Sequence, residues 1–234
     1  MIRKGLIWSA VALLAMLGIT LWVGANLPAG EQIPVHFDAK GNPDRYGSKS
    51  EAMMALWVLC GTTLFVSVML AGLPKIMPRK ANFGKSEKAY FACWIGVLIL
   101  MVFTTGLVGW MMVGAASTGS TGTAPIRLLA LAMGVLFVII GNYLPKTRSN
   151  WIIGIRTPWT LSSDYTWEKT HRVTGLLFVG SGLLTIVLAI FGSPDIAMFV
   201  SFGAIMAASV FGIAYSWWVW RTATDRSETS IFEP

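Results

Sequence analysis

Arg156, Asp164, Glu168 and His171, with Thr157, Thr160, Ser162, Ser163 and Thr170 around them, are the residues of this chain best equipped for chemistry. An imidazole among carboxylates and hydroxyls can move protons. The other histidine, His36, stands in a second polar stretch with Phe37, Asp38 and Asp44. Catalysis needs more than such a gathering. Neither stretch carries a nucleophile motif or a phosphate-binding loop, and the 2 histidines and 2 cysteines show no spacing that resembles a zinc site. Cys60 and Cys93 sit inside apolar runs and read as packing residues. The expectation is a protein without metal or other cofactor, one that binds instead of catalysing. A membrane enzyme is the less favoured reading.

What must position these stretches is set by hydrophobicity. Of 234 residues, 55% are hydrophobic and 12% charged, against roughly 25% charged in an average soluble domain. The charges fall in clusters. Between them lie six apolar runs, 5–26, 52–73, 90–113, 126–144, 173–191 and 196–220, none holding an Asp, Glu or Lys. A helix needs about 20 such residues to cross a bilayer. The expected fold is therefore an all-α integral membrane protein, a six-transmembrane-helix bundle. Its first run exceeds the roughly 7–15 residues of a signal-peptide core and reads as an anchor.

Basic residues orient the chain. The N-terminus, the second and fourth connectors and the tail together hold 14 Lys and Arg; the first, third and fifth connectors hold 3. The second connector contributes Lys75, Arg79, Lys80, Lys85 and Lys88, and the fourth Lys146, Arg148, Arg156, Lys169 and Arg172. The positive-inside bias puts both termini and these two connectors in the cytoplasm. It also accounts for the net charge of +7 without direct nucleic-acid binding. Leu73-Pro74-Lys75 and Leu144-Pro145-Lys146 close two spans, where proline ends a helix and lysine suits its C-terminal dipole. Trp217, Trp218 and Trp220 form an inner aromatic belt, and Arg127 is expected to snorkel to the outer interface. Gly106, Gly109, Gly180 and Gly182 permit close helix packing. The chain divides into halves of three helices, 1–113 and 114–234, expected to form one membrane unit in the cell (plasma) membrane of a bacterium.

Two connectors read as structured. In the outer one (27–51), Ile33 to Phe37 is extended, since the residue before Pro34 avoids the helical region; Lys40-Gly41-Asn42-Pro43-Asp44 supplies turn residues. It is either a small lid or a packed connector. In the inner one (145–172), Ser162 or Ser163 caps a helix with Asp164 in its first turn, and Glu168 and Arg172 are spaced for an ion pair. That helix runs on into the fifth span, so Trp167, His171 and Thr174 share a face. Trp151, Trp159 and Trp167 are expected to seat the loop at the lipid interface.

The inner run Asn150-x-x-x-Gly154-Ile155-Arg156-Thr157-Pro158-Trp159-Thr160-Leu161, followed by Trp167-x-x-Thr170-His171-Arg172-x-x-Gly175, resembles the signature of the SdpI family, immunity proteins against a sporulation-delaying toxin. The outer run, with Leu27-Pro28, Pro34, His36, Phe37, Gly41 and Asp44, resembles the uncharacterised domain that accompanies that signature. The resemblance implies a membrane protein that protects its host from a secreted antimicrobial peptide toxin. In the family's best-known member it also implies signalling, in which the toxin-engaged protein draws a small soluble transcriptional repressor to the membrane. On this reading Pro34, His36, Phe37, Gly41 and Asp44 are toxin-contact candidates. Asn150, Gly154, Arg156, Thr157, Pro158, Trp159, Thr160, Trp167, Thr170 and His171 are candidates for the inner switch. A transporter or exporter of a peptide or small solute is the first alternative, but no span interior holds the ionisable group that ion coupling uses.

Overall fold

The computed structural model describes residues 1–29, 32–38, 40–75, 80–118 and 122–226. Gly30, Glu31 and Ala39 of the outer connector and Arg79 of the second connector lie outside the described residues. The elements in order are α1 (Ile2–Asn26), β1 (Ile33–Phe37), β2 (Pro43–Gly47), α2 (Lys49–Gly72), α3 (Lys80–Thr118), α4 (Ala124–Tyr143), α5 (Pro158–Leu161), α6 (Asp164–Phe191) and α7 (Pro194–Thr222). All of these except β1, β2 and the short α5 are long and apolar enough to cross a membrane, which makes the six expected spans. Each Leu-Pro-Lys triplet forms one 3-10 turn at the end of its helix.

The side chains are distributed as a bilayer requires. Large apolar groups face outward, with Phe191 83% and Phe199 81% exposed. In water such a surface would aggregate; in lipid it is solvated. The buried interior is rich in small polar residues, among them Ser9, Thr20, Thr63, Ser67 and Thr105. Thr63, Ser67 and Thr105 donate to the carbonyl four residues back, which satisfies a hydroxyl where no water is available. Trp94 of α3 donates its indole N–H to Ser9 of α1 at 3.1 Å, tying those two spans.

The closest helix contact is between α4 and α6. A Cβ on Gly141 would lie 2.6 Å from the Gly175 carbonyl oxygen, and one on Gly175 would lie 2.7 Å from that of Gly141. One heptad away the arrangement repeats: a Cβ on Gly134 would meet Gly182 O at 2.9 Å, and one on Gly182 would meet Gly134 O at 2.6 Å. The two backbones touch at both crossings, which only glycine allows. Of the four glycines expected to pack, Gly182 and Gly109 do so tightly, Gly109 against Val23; Gly106 meets only Ile19 at 3.8 Å, and Gly180 meets nothing within 4 Å.

Three features differ from expectation. The helices α3 and α6 begin 10 and 9 residues before the apolar runs at 90 and 173, because a helix satisfies its own backbone in polar surroundings as well, while hydropathy marks only the lipid-facing part. At about 1.5 Å per residue, the 39 residues of α3 reach about 58 Å, well beyond the ~30 Å hydrocarbon core. Second, Trp167 does not anchor the loop in lipid: it is 2% exposed and its indole N–H donates to Thr147 O at 3.1 Å. Third, Arg127 does not reach for headgroups. Its guanidinium donates to the carbonyls of Ala189, Ile190 and Gly192 and so caps the C-terminus of α6, where free carbonyls and the dipole favour a cation. Arg127→Gln is expected to cost about 2 kcal/mol, the scale of hydrogen bonds to a charged group, read as a lower unfolding midpoint in mild detergent.

Candidate functional site

Six passes put the two polar connectors at opposite ends of the bundle, so His36 and His171 cannot share a ligand. At the outer end β1 and β2 form an antiparallel hairpin with an irregular register around His36. Asp38 builds its turn: Oδ1 accepts from the backbone N–H groups of Lys40 and Asn42, and Gly41 takes φ +85° as a left-handed turn position demands. Those hydrogen bonds, the one from the Asn42 backbone foremost, hold the Asp38 carboxyl below its ordinary pKa. Ile33 and Pro34 are buried, and Ile33 packs with Val23, Leu27, Leu56 and Met112. Phe37 is half-buried against Leu107, Met111 and Ile126. The exposed members are His36 and Asp44, paired through Nδ1 and Oδ1 at 2.6 Å, and Tyr46. Thus the hairpin is seated by Ile33, Pro34 and Phe37 and offers His36, Asp44 and Tyr46 to the exterior.

At the inner end the connector folds back on α6 and α7. Asn150, fully buried, templates its first turn: Oδ1 accepts from the N–H groups of Ile152 and Ile153, and Nδ2 donates to Arg148 O. Gly154 then takes φ +109° and lets the chain pass directly over the Trp167 and His171 rings. Next, Ile155 N–H donates to His171 Nε2 at 2.9 Å, and His171 Nδ1 contacts Trp167 O at 2.7 Å. A carbonyl only accepts, so Nδ1 carries the proton, Nε2 carries the lone pair, and the imidazole is neutral. Its ring stacks on Trp167 with centroids 4.0 Å apart and planes at 19°.

Thr157 opens α5 with a reciprocal capping box to Thr160, and Pro158 holds its first turn. Thr157 Oγ1 also meets Ser216 Oγ of α7 at 3.0 Å, and Thr160 Oγ1 donates to Ile155 O. Thr170 is fully buried on α6, and Thr174 sits against Ile155 and Gly212 at the same seam. Ser163 caps α6 as expected and donates to Asp225, which also accepts from Tyr165 N–H. Partial burial raises the Asp225 carboxyl, but these bonds outweigh it and hold the group below its ordinary pKa. The expected Glu168–Arg172 pair is present at 3.8 Å, with Arg148 also near Glu168. Arg156 is exposed, with one N–H donating to Trp151 O; Pro158 is exposed and Trp159 half-buried.

The inner motif is therefore a clasp. Asn150, Gly154, Thr157, Thr160, Trp167 and His171 lock the loop onto α6 and α7, and Arg156, Pro158 and Trp159 form its accessible edge. Asn150 and His171 are recognisable as polar residues in the sequence; the Thr157–Ser216 contact, 59 residues apart, has no sequence signal. His171→Ala strands the half-buried Ile155 N–H and removes a stacked ring, at an expected cost of about 3 kcal/mol. Thermal unfolding in detergent checks this, with Lys169→Ala on the exposed side expected to leave the midpoint unchanged.

A six-span bundle with an outer hairpin and an inner clasp defines the class: a multi-pass membrane protein with an ordered polar connector at each face. Residues 146–216 match the SdpI/YfhL protein family, and residues 11–61, which span the outer hairpin, match a domain of unknown function, DUF1648. The Immunity protein SdpI of Bacillus subtilis (strain 168) is 28% identical over 87 residues, which cover 37% of this chain and 42% of that relative. The match thus spans under half the relative's length. No solved structure matches the chain.

Proposed function

We propose that this chain is an immunity protein that protects its host cell from a secreted antimicrobial peptide. The observation that carries the reading is the family segment 146–216, which contains the whole inner clasp, together with a relative named as an immunity protein. On this reading the peptide engages the outer hairpin at His36, Asp44 and Tyr46, beside the apolar outer half of the bundle. The finer step is a relay: the inner edge at Pro158 and Trp159 gains affinity for a small soluble repressor when the peptide is bound. Such a relay requires the peptide to favour one of two conformations of the bundle, since a ligand that binds both equally shifts nothing. Binding, not catalysis, suits the chemistry of the clasp, because both ring nitrogens of His171 are engaged and neither is left to take a substrate proton.

The test is survival. A toxin-sensitive bacterium expressing the chain is challenged with a secreted membrane-active peptide, and survival is expected to exceed that of the empty-vector strain. Survival equal to the vector control across a panel of such peptides would refute the immunity reading. Retained survival with no membrane recruitment of a repressor would refute the relay alone.

A further inference from the structure

Between the inner ends of α2 and α3 and the clasp loop lies a cavity of about 370 Å³, within the roughly 300–1,000 Å³ of ligand-sized sites. Leu70 of α2, Cys93 and Val97 of α3 and Ile152 of the loop give it an apolar wall. Tyr90 and Trp94 also line it, but their polar tips are spent inside the protein: the Tyr90 hydroxyl donates to Leu70 O and the Trp94 indole to Ser9. Among the described residues the one charged lining residue is Arg156. It is exposed, and among the described residues it has no carboxylate partner, whereas Arg45 pairs with Glu51 and both Arg148 and Arg172 with Glu168. The hydrogen bond to Trp151 O uses one N–H of the five a guanidinium carries.

The slot stands where α2 ends in Leu73–Lys75, at the inner boundary of the bilayer. A hydrocarbon-lined slot at that depth, with a guanidinium at its wall that has no carboxylate partner among the described residues, is complementary to an amphiphile that has an apolar tail and an anionic head. The planar fork of arginine matches phosphate oxygens. The inner leaflet supplies such a molecule. We propose that this slot binds one anionic phospholipid, its acyl chain along Leu70, Val97 and Ile152 and its phosphate on Arg156. The lipid bridges α2, α3 and the clasp loop, so the seating of the loop depends on the anionic lipid content of the membrane. This assignment stands apart from the immunity reading and does not need it.

Native mass spectrometry tests it on the full chain released from nanodiscs of phosphatidylcholine and phosphatidylglycerol in equal parts. The wild type is expected to retain one phosphatidylglycerol in preference to phosphatidylcholine. Arg156→Gln should lower that preference about tenfold, the equivalent of about 1.4 kcal/mol. Cys93→Trp, which fills the slot from the α3 side, should abolish retention of either lipid. Excess inorganic phosphate should leave the wild-type lipid in place. Equal retention of the two lipids by the wild type, unchanged preference in Arg156→Gln, full retention in Cys93→Trp, or displacement by phosphate alone would each overturn the proposal.

Discussion

Replacing Gly154 with valine will leave little folded protein in the membrane. The position has φ +109°, where a β-branched side chain is strained by about 1–3 kcal/mol. A Cβ would also collide with His171 Nε2 and come within 2.9 Å of His171 Cδ2. The ring has nowhere to go, because its other face stacks on Trp167. Any side chain here therefore breaks the Ile155–His171 bond and leaves a half-buried N–H unpaired, which costs a further 1–3 kcal/mol or so. The combined loss of about 4 kcal/mol is a large part of the stability of a typical domain. Even Gly154→Ala should show it, as a lower yield of monodisperse protein on size exclusion and a lower unfolding midpoint. A wild-type midpoint for the alanine variant would mean that the loop is not clasped on His171.

Gly141→Leu should be comparably damaging by a different route. At the α4–α6 crossing the nearest atoms are backbone, Gly175 O at 2.6 Å and Val179 N at 2.7 Å from the new Cβ. Backbone cannot rotate aside as a side chain can, so the two helices must separate and give up the second crossing at Gly134 and Gly182 as well. Overpacking ordinarily costs about 1–3 kcal/mol; with backbone on the far side, about 3 kcal/mol is the lower end. Gly180→Leu on the partner helix α6 meets nothing within 4 Å and is the control. The same detergent unfolding assay compares them, and equal midpoints for Gly141→Leu and Gly180→Leu would rule out the crossing.

How much of this was legible beforehand varies by the kind of force involved. The six spans follow from apolar runs separated by charge, because burial in lipid needs only length and composition. The α6 cap at Ser163 and the turn at Gly41 were legible because caps and turns are local. The second strand of the hairpin was not: Pro43-Asp44-Arg45-Tyr46-Gly47 lacks apolar alternation, and it pairs because Asp38 closes the turn. Trp167 looked like an interface residue, since an indole suits the interface as well as a core. What decides between them is Thr147 O, whose position depends on the whole fold of the loop. Arg127 likewise finds carbonyls 62 to 65 residues away, and no local pattern announces them. The glycine heptads on α4 and α6 become meaningful only when the two helices are laid against each other.

The placement of the hairpin outside and the clasp inside underlies every functional step above. It is tested most directly by thiol labelling of intact cells. In a Cys60→Ala, Cys93→Ala background, a membrane-impermeant maleimide should modify Tyr46→Cys at once and Lys169→Cys only after the cells are permeabilised. Labelling of both positions in intact cells, or of Lys169→Cys alone, would contradict the account.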